Sequence, residues 1–99
     1  MRSATETLRV DYSTGGRKVV YKLSRDAQRR VTALLRRRPQ GVRQVTHVYV
    51  DHEPAFGDTL VYACDHRGVA VSAEVLADLD GDRTGDPAAL AEIGVEEVR

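Results

Sequence analysis

Tryptophan is missing from this 99-residue chain, phenylalanine occurs once and tyrosine four times. No aromatic interleaves its arginine runs, so a stacking platform for single-stranded nucleic acid is not encoded. Cysteine occurs once, at Cys64, which excludes an internal disulfide and points to a reducing, cytoplasmic setting. Long apolar runs are absent as well. The longest is Leu60 to Cys64, against the roughly 20 residues a spanning helix needs, so no membrane contact is expected. Met1-Arg2-Ser3-Ala4 opens no secretory leader. The chain has no GxGxxG, GxSxG or HExxH, which removes the usual dinucleotide, hydrolase and zincin signatures.

Net charge is zero too, yet its distribution is uneven. Residues 1–43 hold twelve basic and three acidic side chains, a sum of +9, whereas residues 44–99 hold three basic and twelve acidic ones, a sum of −9. Such asymmetry marks either a polyanion-binding surface, an acidic interaction surface, or two halves that neutralise each other in the fold. Arginine outnumbers lysine thirteen to two, a composition typical of a GC-rich bacterial genome. Hydrophobic content of 41% supports one domain over residues 1–99 with its own core.

Alternation of Leu8, Val10 and Tyr12 with polar residues predicts a strand. A second has Val19, Tyr21 and Leu23 on one face, and Gly15-Gly16 between them supplies a hairpin turn rather than a phosphate cradle. Ser24 suits an N-cap, Asp26 complements the positive helix end, and Ala27, Val31, Leu34 and Leu35 form an apolar stripe on a long helix ending near residue 38, before Pro39 and Gly41. Further strands are expected near 44–51, 58–65 and 68–76, followed by a Gly/Asp-rich loop over 77–86 and a short helix opened by Pro87 and closed by Gly94. The resulting order is β-β-α-β-β-β-α. It describes an α+β domain with a mainly antiparallel sheet of about five short strands and the long helix on one face. Because the last three strands are apolar on both sides, the other face needs either the C-terminal segment or a partner chain.

Four features bear on function. Arg25, Arg29 and Arg36 cluster opposite the apolar stripe with Arg30 and Arg37 beside them, a basic ridge able to meet phosphates or carboxylates. Asp78, Asp80, Asp82 and Asp86 occupy relative positions 1, 3, 5 and 9 of a loop that resembles the calcium loops of EF-hands and dockerins. It departs from them at position 6, Arg83 in place of Gly, and at position 12, Ala89 in place of the bidentate Glu, so a structural loop is the favoured reading. His47, His52, Cys64 and His66 match no zinc spacing, and Cys64 alternates with Leu60 and Tyr62 as a core cysteine does. Phe56, between Pro54 and Gly57, reads as a lid on the core edge or as an exposed anchor for a partner.

No catalytic constellation and no cofactor is expected. The sequence points first to a non-enzymatic protein-binding domain of regulatory, inhibitor or immunity type, binding another protein or itself through Arg25, Arg29, Arg30, Arg36, Arg37 and Phe56. The alternative is a nucleic-acid-binding domain using the arginine helix, which requires the acidic charge to lie well away from it. An enzyme centred on His52, Glu53, Cys64 and His66 ranks third.

Overall fold

The computed structural model describes residues 1–37 and 44–98. Along the chain run β1 (Ser3–Asp11), β2 (Arg17–Leu23), α1 (Arg25–Leu34), β3 (His47–His52), β4 (Asp58–Cys64), β5 (Ala77–Asp80), α2 (Pro87–Ala91) and β6 (Glu96–Glu97). The strands form one six-stranded sheet in the order β5-β4-β3-β2-β1-β6. Four pairings are antiparallel, but β6 lies parallel to β1 through Ser3↔Glu96 and Ala4↔Glu97, so the sheet is mixed and has one strand more than the sequence predicts.

The hairpin of β1 and β2 forms with Gly15 at φ 86° in the turn, but β1 begins at Ser3 and ends before Tyr12, and Leu8 and Tyr12 are exposed rather than lining a buried face. Ser24 caps α1 and also ties down the chain start. Its hydroxyl accepts from Ala27 N at 3.2 Å and Ser3 N at 3.1 Å, and donates to the Met1 carbonyl at 2.7 Å. The helix stops at Leu34, not near residue 38. The reason is a competing acceptor. Leu35 N–H already takes the Thr32 carbonyl at 3.2 Å, and the Arg36 N–H that would continue the ladder donates to the Glu74 carboxylate at 3.0 Å instead. The stop signals expected at Pro39 and Gly41 lie outside the described residues. Ala27, Val31 and Leu35 are buried as the stripe requires, but Leu34 is 37% exposed and leaves the core.

The strand expected over 68–76 is broken. Ala70 bridges Cys64, Val71 N–H donates to the Ala63 carbonyl and Leu76 N–H to the Val61 carbonyl, so both ends of the segment do follow β4. Between them Ser72 Oγ accepts the Glu74 amide, and Glu74 turns away to meet Arg36. Regular pairing resumes only as β5, inside the stretch predicted to be loop.

One side of the sheet carries Val19, Tyr21, Leu23, Val48, Val50, Val61 and Ala63. The buried cluster continues through Ala27, Val31 and Leu35 of the helical region and Leu90, Ile93 and Val95 of the C-terminal segment. Both helical segments therefore cover the same face. The C-terminal segment does not reach the other one.

Candidate functional site

Strand register puts a definite set of side chains on that second face. One row across β2, β3, β4 and β5 is Lys18, Asp51, Leu60 and Asp78, and the next is Val20, Tyr49 and Tyr62. At one end the turn after β4 folds over the sheet. A methyl group on Gly68 would sit 3.0 Å from Val20 Cγ2, and Lys18 Nζ donates to the Gly68 carbonyl at 2.7 Å. This turn buries Val20 and Cys64. Its shape follows from Asp65, whose Oδ1 accepts the Arg67 and Val69 amides.

The rest of the face stays open. A shallow groove of about 550 Å³ is lined by Tyr49, Asp51, Asp58, Leu60, Tyr62 and Asp78, with Glu53, Phe56 and Val75 on its rim. Tyr49 and Tyr62 form its floor, stacked with ring centroids 5.2 Å apart and planes at 26°. Lys18 Nζ lies 4.1 Å from the Tyr49 ring centroid. Phe56 is carried at the tip of the β3–β4 turn, where the Glu53 carbonyl accepts both the Phe56 and Gly57 amides. It is 81% exposed, so it is no lid on the core.

The groove is mostly acidic, with Lys18 as the basic residue opposite Asp51. Asp58 and Asp80 are direct cross-strand partners, an arrangement that destabilises a sheet, and Asp78 shares their face. Among the described residues, Asp51, Glu53, Asp58, Asp78 and Asp80 take part in no ion pair, nor do Glu74, Glu92, Glu96 and Glu97 elsewhere, whereas Glu6, Asp11, Asp26, Asp65, Asp82 and Asp86 do. Partial loss of water, then the charge and hydrogen bond of Asp58, hold the Asp78 carboxyl above the usual carboxylate range. Burial does the same to Asp51, opposed by Lys18.

A carboxyl raised in the fold favours the native state below its unfolded value, and that contribution is lost as pH rises through the raised one. Asp78→Asn should therefore raise the thermal midpoint at pH 7, with the gain shrinking toward pH 3 as the wild-type carboxyl protonates. A lower midpoint at pH 7 would show that the clustered charge is not under strain.

The basic residues lie elsewhere. Arg25, Arg29 and Arg30 are exposed on α1, across the sheet from the groove, and Arg36 and Arg37 are exposed beyond the helix end. They do not form one helical ridge. Arg29 pairs with Asp26 at 3.0 Å, and Arg30 lies against the C-terminal turn, where a methyl group on Gly94 would come within 2.8 Å of its Nε. Of the seven ion pairs among the described residues, only Arg17–Asp82 joins the basic half of the chain to the acidic half. Among the described residues, direct ion pairing between the two halves is limited to that contact.

The four loop aspartates are divided between two jobs. Asp78 and Asp80 lie on β5, Asp82 accepts from Thr84 N at 3.1 Å, and Asp86 caps α2 by accepting from Ala88 N at 2.9 Å. The loop is pinned by Thr59, whose hydroxyl donates to the Gly81 carbonyl at 2.6 Å and accepts from Arg83 N at 2.8 Å. Among the described residues no group of three or more His, Cys, Asp or Glu side chains is placed to hold a metal ion.

Cys64 faces His47 across the second face, His52 lies on the core side at the far end of β3, and His66 is exposed in a turn. Burial pushes the Cys64 thiol up to about 12 and His47 below its ordinary value. Native protein at pH 7.5 should resist iodoacetamide and react fully in denaturant; rapid labelling of the native state would contradict this burial.

Sequence reasoning found Phe56 but not the groove around it. Its signal was the i, i+2 spacing of Tyr49 and Asp51, of Asp58, Leu60 and Tyr62, and of Asp78 and Asp80, which becomes a site only once the register is known. No protein-family model, curated protein or solved structure matches this chain.

Proposed function

We propose that this chain is a non-enzymatic protein-binding domain, regulatory or inhibitory in role, whose contact surface is the acidic aromatic groove. One observation carries the reading. Asp51, Asp58, Asp78 and Asp80, without ion-pair partners among the described residues, stand on an uncovered sheet face, with Glu53 and the exposed Phe56 in the adjoining turn. Gathering like charge costs stability, and a positively charged partner relieves that cost while the field steers its approach. An exposed aromatic beside a concave surface supplies the apolar anchor typical of energetic centres in interfaces.

Affinity capture with the wild type beside Phe56→Ala and the double variant Asp58→Asn/Asp78→Asn tests this. A partner retained by the wild type and lost by both variants is expected. Equal retention by all three would remove the groove as the contact surface.

A second reading, nucleic-acid binding through Arg25, Arg29, Arg30, Arg36 and Arg37, is favoured by the exposure of these side chains on and just beyond α1, which packs on the sheet face opposite the acidic groove. Duplex titration at low salt, repeated with Arg25→Glu/Arg29→Glu, separates the two; affinity indifferent to that change argues against the helix as contact surface.

A further inference from the structure

Resting on the groove reading above, we propose that the chemical group recognised there is a guanidinium, that of an arginine on a basic segment of the partner protein, lying against Tyr62 with Asp58 and Asp78 as its carboxylate partners. The protein already shows half of this arrangement within itself. Lys18 Nζ sits 4.1 Å from the ring centroid of Tyr49, the other member of the stacked pair, whereas no cation lies over Tyr62 among the described residues. Tyr62 lines the groove together with Leu60, Asp58 and Asp78.

Three features select the planar cation. Asp58 pairs with Asp80 and Leu60 with Asp78, which places the Asp58 and Asp78 carboxylates on one face of adjacent strands, and both line the groove. A guanidinium can donate to more than one carboxylate, since its five N–H groups form a rigid fork, while an ammonium is a compact point charge. The stacked rings offer a flat surface on which a guanidinium lies and an ammonium gains less. Phe56 and Val75, 81% and 47% exposed on the rim, can cover the aliphatic stem of the incoming side chain.

The occupant is a segment rather than a single small cation. The groove, at about 550 Å³, exceeds one side chain, and Asp51, Glu53 and Asp80 remain for neighbouring basic residues. A phosphate-bearing ligand is repelled by the same carboxylates.

The test uses the full chain, isotope-labelled, with a blocked peptide of alternating glycine and arginine and its lysine counterpart as probes. Amide shifts on titration should concentrate at Phe56, Tyr62 and Asp78. The arginine peptide should bind about fivefold tighter than the lysine one. Asp58→Asn/Asp78→Asn and Tyr62→Leu should each weaken it about tenfold, the scale of one lost charge-assisted contact. The charge-matched control Glu92→Gln/Glu96→Gln, which removes two carboxylates elsewhere, should leave affinity unchanged.

Shifts outside the groove, equal affinity for the two peptides, or equal weakening by the control would each overturn the guanidinium assignment. If Tyr62→Leu fails to fold, the Asp58→Asn/Asp78→Asn variant, in which repulsion is relieved, still decides the matter. Should the arginine peptide fail while a captured partner still depends on Phe56, the guanidinium chemistry falls and the groove reading stands. If neither Phe56 nor the carboxylates matter to any ligand, both fall.

Discussion

Ile93→Ala should destabilise the domain by about 2–5 kcal/mol, a large share of the roughly 5–15 kcal/mol that holds a typical domain together. Ile93 is fully buried and belongs to the same apolar cluster as Val31 of α1 and Leu23 of β2. The five-residue α2 has no stability of its own at that length, so the segment is held by what it buries. Removing three carbons leaves a cavity between the helices and the sheet that rigid neighbours fill only in part. Urea unfolding measures the loss, and a change below about 1 kcal/mol, the scale of surface substitutions, would show that the C-terminal segment is not core.

Gly94→Ala should cost about 1–2 kcal/mol from backbone conformation alone, because Gly94 has φ +73°, a region any side chain with a Cβ enters at a penalty. The turn it makes closes α2 by a paired hydrogen bond. Gly94 N–H donates to the Ala91 carbonyl at 2.9 Å and Val95 N–H to the Leu90 carbonyl at 3.0 Å, which sets the buried side chains of Leu90 and Val95 side by side. Alanine there also meets Arg30, whose Nε would be 2.8 Å from the new Cβ. That guanidinium is the far end of a flexible chain and can swing away. A double-mutant cycle with Arg30→Ala divides the two contributions: a cost unchanged when Arg30 is absent assigns it to the backbone, and a smaller one assigns the remainder to the displaced arginine. No loss in either background would mean the turn does not need its left-handed residue.

Much of the fold follows from local pattern. The β1–β2 hairpin, the Ser24 cap and the start of α1, and strands near β3 and β4 are all written in alternation, turn glycines and a capping hydroxyl. The departures come from long-range bonds. Nothing near Leu34 in sequence says that Glu74 will take the next backbone amide, or that the same glutamate will interrupt the strand between Val71 and Leu76. β6 is two residues long, too short for any periodicity. The groove was hidden for a related reason: its acids and tyrosines lie on three strands, and only register shows that Asp51, Asp58 and Asp78 share a face. The arginines stood out because five of them fall between residues 25 and 37, several at helical spacing. Their expected continuous ridge failed because the helix ends before Arg36.

The parallel pairing of β6 with β1 also sets an order of assembly. Ser3 and Ala4 meet Glu96 and Glu97, so this contact closes a loop of about ninety residues, while β2 to β5 are joined by near neighbours in sequence. Loop-closure entropy grows only slowly, by about 0.6 kcal/mol per doubling, so the native state bears little penalty for so distant a contact. The burden falls on rate, since distant contacts form late. On a ribosome the outer edge of β1 at Ser3 and Ala4 stays bare until residues 96 and 97 have emerged, while the same edge from Thr5 to Asp11 pairs with no strand in the folded protein.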